Sequence, residues 1–213
     1  GDVSVDKTIL IANGSDIATF RAVVKDANGN PVSGATVNWA TDKGILSAGS
    51  SVSGTDGVAT ITLHDTVTGN AQVTAQTGSS GNISAPQVEF IPDNASANIG
   101  SGDVTVDKTT VVANNSDVAT FSAQVKDGQG NPVPNFVVNW NTTKGTLSGS
   151  TTMTNASGIA TVTLKDTVAG AATVTAQSGT SSAISAPAVD FTPDSTTAAI
   201  GSGDLTVDKT SIV

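Results

Sequence analysis

The sequence predicts an all-β protein of tandem β-sandwich domains, and three observations carry that prediction. Apolar and polar residues alternate in short runs, the period-2 signature of a strand with one buried face. Between the runs lie clusters of Gly, Asn, Asp and Pro, each favouring a turn for its own physical reason. The whole pattern then recurs. Trp39 and Trp140 stand 101 residues apart, as do Asp2 and Asp103, and Asp103 and Asp204.

A period near 100 residues is too long for a solenoid unit and suits a self-sufficient sandwich of about 100 residues. The expected organisation is repeat 1 over 1–101 and repeat 2 over 102–202, with 203–213 as the first strand of a third, truncated repeat of a longer array. No helical period persists beyond about one turn.

Each repeat opens on a phrase such as DVTVDKT, read as a first strand with Val104 and Val106 on one face. In IATFRAVVK, Ala18, Phe20, Ala22 and Val24 alternate with Thr19, Arg21 and Val23. The turn KDANGNPV follows. ATVNWAT places Val37 and Trp39 inward, GVATITLH places Ala59, Ile61 and Leu63, and NAQVTAQ places Ala71, Val73 and Ala75. ISAPQVEF changes phase, with Ile83 and Ala85 on one face and Val88 and Phe90 continuing. Pro86 at the slip predicts a bulge or an edge. IPDNASANIGSG is read as an ordered junction, because Ile99 recurs as Ile200.

Composition bounds the function. The net charge is −9, and Glu89 is the only glutamate, so the acids suit turns rather than helices. So few Lys and Arg argue against nucleic acid and against an anionic membrane surface. Cysteine is absent, which fits both a cytosolic chain and one exported through an oxidising compartment. No run reaches the roughly 18 apolar residues of a membrane helix.

The run from Asn13 to Ser47, with Thr55 to Gln76, resembles the bacterial Ig-like domain, group 1, of the intimin and invasin adhesins. The marks are D-x-x-G-N-P-V at Asp26 to Val32, G-x-L at Gly44 to Leu46, G-x-A-x-x-x-L at Gly57 to Leu63 and G-x-x-x-V-T-A at Gly69 to Ala75. All four recur in the second repeat. The resemblance implies tandem Ig-like β-sandwich domains forming an elongated rod on a Gram-negative cell surface, carried by an outer-membrane barrel (inverse autotransporter) and used as a stalk in cell adhesion. It implies neighbouring repeats of the same chain as partners. A host receptor or other bacterial cells would be engaged through parts outside this segment. The family's lectin-like tip has no counterpart here, so receptor binding does not carry over to these residues.

Candidate chemistry is sparse. His64 is the only histidine, its counterpart is Lys165, and its place on GVATITLH faces outward, so neither nucleophilic catalysis nor any other enzymatic role is expected. Trp39 and Trp140 could stack on sugars, but strand alternation favours core packing. Glu89, Asp93, Asp103 and Asp107, repeated as Asp190, Asp194, Asp204 and Asp208, could bind Ca²⁺ and stiffen a rod. Their spacing matches no calcium loop, Lys108 lies among them, and solvated turn acids are the favoured reading. Lys25 and Lys126 end a strand, a poor place for a Lys–Asn crosslink. No catalytic, cofactor-binding or metal residue and no cofactor is therefore assigned. The favoured function is a structural stalk that spaces a terminal binding region from the outer membrane. The alternatives are an Ig-like module whose end loops engage a host protein or glycan, and a calcium-stiffened rod.

Overall fold

A computed structural model describes residues 2–78 and 80–208. Apart from two 3-10 turns, Asn94–Ser96 and Ser195–Thr197, its regular structure is all strand. The first copy holds β1 Val3–Val5, β2 Ile9–Ile11, β3 Ala18–Val23, β4 Thr36–Thr41, β5 Ile45–Leu46, β6 Ser50–Val52, β7 Val58–His64, β8 Gly69–Ala71, β9 Val73–Thr77, β10 Ile83–Ser84 and β11 Val88–Ile91. The second copy repeats them 101 positions later, from β12 Val104–Val106, β13 Thr110–Val112 and β14 Ala119–Gln124 to β22 Val189–Thr192.

In the first copy β1-β3-β7-β5 form one sheet, β10-β9-β4-β6 a second, and β2-β11-β8 a third. Pairing is antiparallel except for β11 with β2, where Phe90 lies opposite Leu10 in parallel register. Strand β3 runs along β7 with Phe20 opposite Ile61. The alternation read from sequence places its residues as expected: Ala18, Phe20, Ala22, Val37, Ala59, Ile61 and Leu63 are all buried in one cluster. Taking a Phe or Leu side chain out of water contributes about 1.5–3 kcal/mol, so these few large residues dominate the core. Trp39 belongs to it, and its counterpart Trp140 is likewise buried, each only 5% exposed. Their indole N–H groups still find partners: Trp39 Nε1 donates to Ser51 Oγ at 2.8 Å and Trp140 Nε1 to Thr152 Oγ1 at 2.7 Å.

Two expectations need correction. NAQVTAQ is not one strand: β8 pairs with β11 while β9 pairs with β4 and β10, so the chain changes sheets at Gln72. Gln72 holds the break, its backbone N–H donating to Asp42 Oδ1 and its side-chain amide to Ala85 O at 2.6 Å. ISAPQVEF likewise divides between sheets at Ala85 to Gln87. Strand β10 takes an edge and leaves Ile83 49% exposed, not inward, while β11 enters the sheet with β2. Pro86, with no N–H to donate, falls in the crossing segment between them.

The described part of 203–213 forms no strand, and Leu205 and Val207 are exposed. In both copies this phrase pairs with the strand carrying Phe20 or Phe121, and the sequence holds no third copy of that strand. Residues 209–213 of that expected element lie outside the described residues.

Two compact units emerge. One comprises Gly1–Asn98 with Gln124–Phe136 and Thr154–Ile159, and the other Ile99–Ala123, Val137–Met153 and Ala160–Val213. The first unit thus holds both copies of the D-x-x-G-N-P turn.

Candidate functional site

Each D-x-x-G-N-P turn is built by its own aspartate. Asp26 Oδ1 accepts from the backbone N–H groups of Asn28 and Asn30, both at 2.9 Å, and its Oδ2 from Asn30 Nδ2 at 3.0 Å. Asp127 repeats this on Gln129, Asn131 and Asn131 Nδ2. Gly29 and Gly130, at φ +86° and +87°, supply the left-handed residue that closes each turn.

What surrounds the two turns differs. Asp26 and Asn30 are exposed, whereas Asp127 is 4% and Asn131 6% exposed. Within the first unit, the backbone N–H of Asp93 donates to Asp127 Oδ2 at 3.1 Å. Asn98 and Lys126 exchange both backbone hydrogen bonds, and the N–H of Gly128 donates to Ser96 Oγ at 2.9 Å. Asn131 Nδ2 donates to Thr66 O at 2.9 Å, and Asn131 Oδ1 accepts from the N–H of Thr68 at 3.2 Å. A 3-10 turn capped by Asp93, whose side chain accepts from the N–H of Ala95, shapes the 93–98 segment. Lys43 fixes the other donor, its Nζ lying 2.6 Å from Asp65 Oδ2 and donating to Val67 O at 2.7 Å.

The electrostatics follow from this geometry. Burial opposes ionisation of Asp127, but the Asn131 amide and the N–H groups of Asp93, Asn131 and Gln129 outweigh it and hold the carboxyl below its ordinary value. Asp65 behaves alike: burial raises it, while Lys43 and the N–H groups of Val67 and Thr66 pull it lower. The exposed Asp26 is lowered mainly by the Asn30 side chain. The cluster is therefore an anionic acceptor surrounded by backbone donors, suited to holding polypeptide rather than to proton transfer.

The acids singled out as calcium candidates serve separate local duties. Asp93 and Asp194 cap 3-10 turns, Asp103 and Asp204 accept from the N–H groups of Gly100 and Gly201, and Asp107 accepts from Thr120. Glu89 and Asp190 are exposed on β11 and β22, Asp208 is exposed, and Lys108 pairs with Asp117 instead. Among the described residues no three His, Asp or Glu side chains gather to hold a metal. His64 lies opposite the inward face of β7 but is half-buried, as is Lys165. Lys25 pairs with Asp2 at 3.0 Å. The Asp127–Asn131 cluster was missed by sequence reasoning, since its motif is identical in the exposed copy.

The match to known proteins now falls into place. The family model of the bacterial Ig-like domain (group 1) matches residues 1–91 and 101–192. The chain belongs to the bacterial Ig-like domain (group 1) family. It is 35% identical to intimin of Escherichia coli O127:H6 (strain E2348/69 / EPEC) over 99% of this chain and 22% of that protein. It is 32% identical to the inverse autotransporter adhesin YeeJ of Escherichia coli K12, over 76% of this chain and 7% of YeeJ. The chain thus spans about a fifth or less of these relatives. Among solved structures, that of Yersinia pseudotuberculosis InvD shares the fold, with a TM-score of 0.66 at 23% identity, over 92% of this chain and 59% of that one. These two repeats are accordingly group 1 Ig-like domains of the kind found in intimin/invasin-type adhesins.

Proposed function

We propose that this chain is a spacer: two autonomous Ig-like domains, 1–101 and 102–202, in an adhesin of the inverse autotransporter type on a Gram-negative surface. The parent protein is read as anchored by an outer-membrane barrel, with receptor contact made by parts outside this segment. One observation carries the reading. Residues 93–98, which follow the last strand of the first domain, are hydrogen-bonded onto the turn at 126–131 through Asp127, Lys126 and Gly128, where a free tether would make no such bonds. The adhesins among its relatives agree with it. The net charge of −9 would keep neighbouring copies soluble and mutually repelled.

Small-angle X-ray scattering of this chain, with and without Ca²⁺, tests the spacer. The expected profile is that of two sandwiches in series, extended well beyond one domain and unchanged by the metal. A compact profile would sink the spacer reading. A profile that lengthens only with Ca²⁺ would transfer the role to the junction acids.

A further inference from the structure

We propose that Asn28 is a spontaneous modification site, where the side-chain amide is lost as ammonia by ring closure onto the Gly29 nitrogen, while the fold protects the chain's other Asn–Gly pair, Asn13–Gly14. This chemistry is independent of the spacer reading, which would survive its failure.

Ring closure onto the next backbone nitrogen is least hindered where the following residue has no Cβ. The sequence holds two Asn–Gly pairs, Asn13–Gly14 and Asn28–Gly29, both in the first copy. At the equivalent positions the second copy has Asn114–Asn115 and Gln129–Gly130. Asn30 and Asn131 precede proline, whose nitrogen has no proton to lose, so the ring cannot close there.

The reaction consumes only water. The Gly29 nitrogen gives up its proton and bonds to Asn28 Cγ. The Cγ–Nδ2 bond breaks, and the amide leaves as ammonia with that proton. Water then opens the five-membered imide. Cleavage between the nitrogen and Cγ leaves an ordinary aspartate. Cleavage between the nitrogen and the backbone carbonyl carbon leaves isoaspartate, with the chain rerouted through the former side chain. Isoaspartate would insert a methylene between the N–H groups of residues 28 and 30, which Asp26 Oδ1 now holds at 2.9 Å each.

The fold treats the two pairs differently. Asn13 is half-buried, and its Oδ1 accepts from the N–H groups of Ser15 and Asp16, both at 2.8 Å. The Gly14 N–H reaches across to Asp65 O at 3.0 Å, and a Cβ on Gly14 would meet Thr66 at 3.1 Å. Attack at Asn13 Cγ must therefore break three hydrogen bonds in a crowded place. Asn28 is exposed, and among the described residues only its backbone is hydrogen-bonded. The Gly29 N–H donates within its own turn, to Asp26 O at 3.0 Å, and the space a Cβ would take on Gly29 is empty. An exposed turn closed only on itself opens at far lower cost than a segment tied to the core.

Access at Asn28 does not depend on the first turn being uncovered. At the second turn Asp127 and Asn131 are buried beneath residues of the same unit, yet Gln129 and Gly130 remain exposed. The tip of the turn is open in both copies.

The test is peptide mapping by mass spectrometry of the whole chain, aged at mildly alkaline pH either folded or unfolded in urea. Trypsin separates the two sites: cleavage after Lys7, Arg21, Lys25 and Lys43 places Asn13 in 8–21 and Asn28 in 26–43. Each conversion replaces an amide by a carboxyl and is read as a gain in mass. We expect the rate of 26–43 relative to 8–21 to be at least tenfold larger in the folded chain than in urea, where sequence alone decides. Asn28→Gln, the residue type of the second copy, should abolish the gain in 26–43. A ratio in the folded chain no larger than that in urea would overturn the proposal. So would a gain in 26–43 that survives Asn28→Gln, or a folded chain in which neither peptide converts while both convert in urea.

Discussion

The two copies of the D-x-x-G-N-P turn share their internal hydrogen bonds and differ in what lies against them. Asp26 and Asn30 are exposed, while Asp127 and Asn131 are buried under residues 66–68 and 93–98 of the same unit. A local motif thus sets the shape of a turn, and only its neighbours decide whether that shape is a solvated corner or part of an interior. The domain cores should be indifferent to this contrast. Phe20 and Phe121 are both fully buried, so Phe20→Ala and Phe121→Ala should each cost about 3–5 kcal/mol. Urea unfolding that gave one of them less than half the cost of the other would extend the asymmetry from the turns into the cores.

The next effect belongs to the turn itself. Asn131→Ala removes a donor to Thr66 O and an acceptor for Thr68 N–H, and should destabilise the chain by about 1–3 kcal/mol, since it strips buried partners. Asn30→Ala loses contacts only within its exposed turn and should fall within about 0.5 kcal/mol of the parent. Calorimetry showing equal losses would erase the functional distinction between the copies.

Acid sharpens the same contrast. A carboxyl held below its ordinary value stabilises the fold at pH above the unfolded-state value of about 3.9, and that contribution disappears as pH falls through the folded-state value. Asp127 and Asp26 are both shifted in this direction. Only Asp127 also accepts from Asp93, so Asp127→Asn should flatten the fall in melting temperature below about pH 4 more than Asp26→Asn does. An equal slope in both variants would show that the turn alone sets the shift.

The cores were readable in advance because alternation depends only on nearest neighbours along a strand, and Phe20, Trp39, Ile61 and Leu63 followed it. The sheet changes at Gln72 and at Ala85 to Gln87 were not. Ala71, Val73 and Ala75 stay buried on both sides of the first break, so the pattern carries no trace of it. Ile83 misled for the opposite reason: its alternation is regular, but β10 lies at an edge where the face is open. The Asp127–Asn131 cluster left no signal, because identical residues at Asp26 and Asn30 meet solvent. Ile99 and Ile200, alike in sequence register, differ in surroundings: the first is buried and the second exposed.

The smallest effect lies at the end of β9. Thr77 is half-buried there, and its hydroxyl donates to Thr36 O at 2.8 Å. Its counterpart Ser178 is fully buried, and its hydroxyl has no hydrogen-bond partner among the described residues. An unpaired buried hydroxyl opposes folding, whereas a paired one contributes about 0.5–1.5 kcal/mol. Ser178→Ala should therefore leave stability unchanged or raise it by up to about 1 kcal/mol, while Thr77→Ala should lower it. Urea midpoints at constant slope measure both. A clear loss on Ser178→Ala would mean that this hydroxyl is partnered in solution, and the two copies would then be alike at this position, in hydrogen bonding if not in burial.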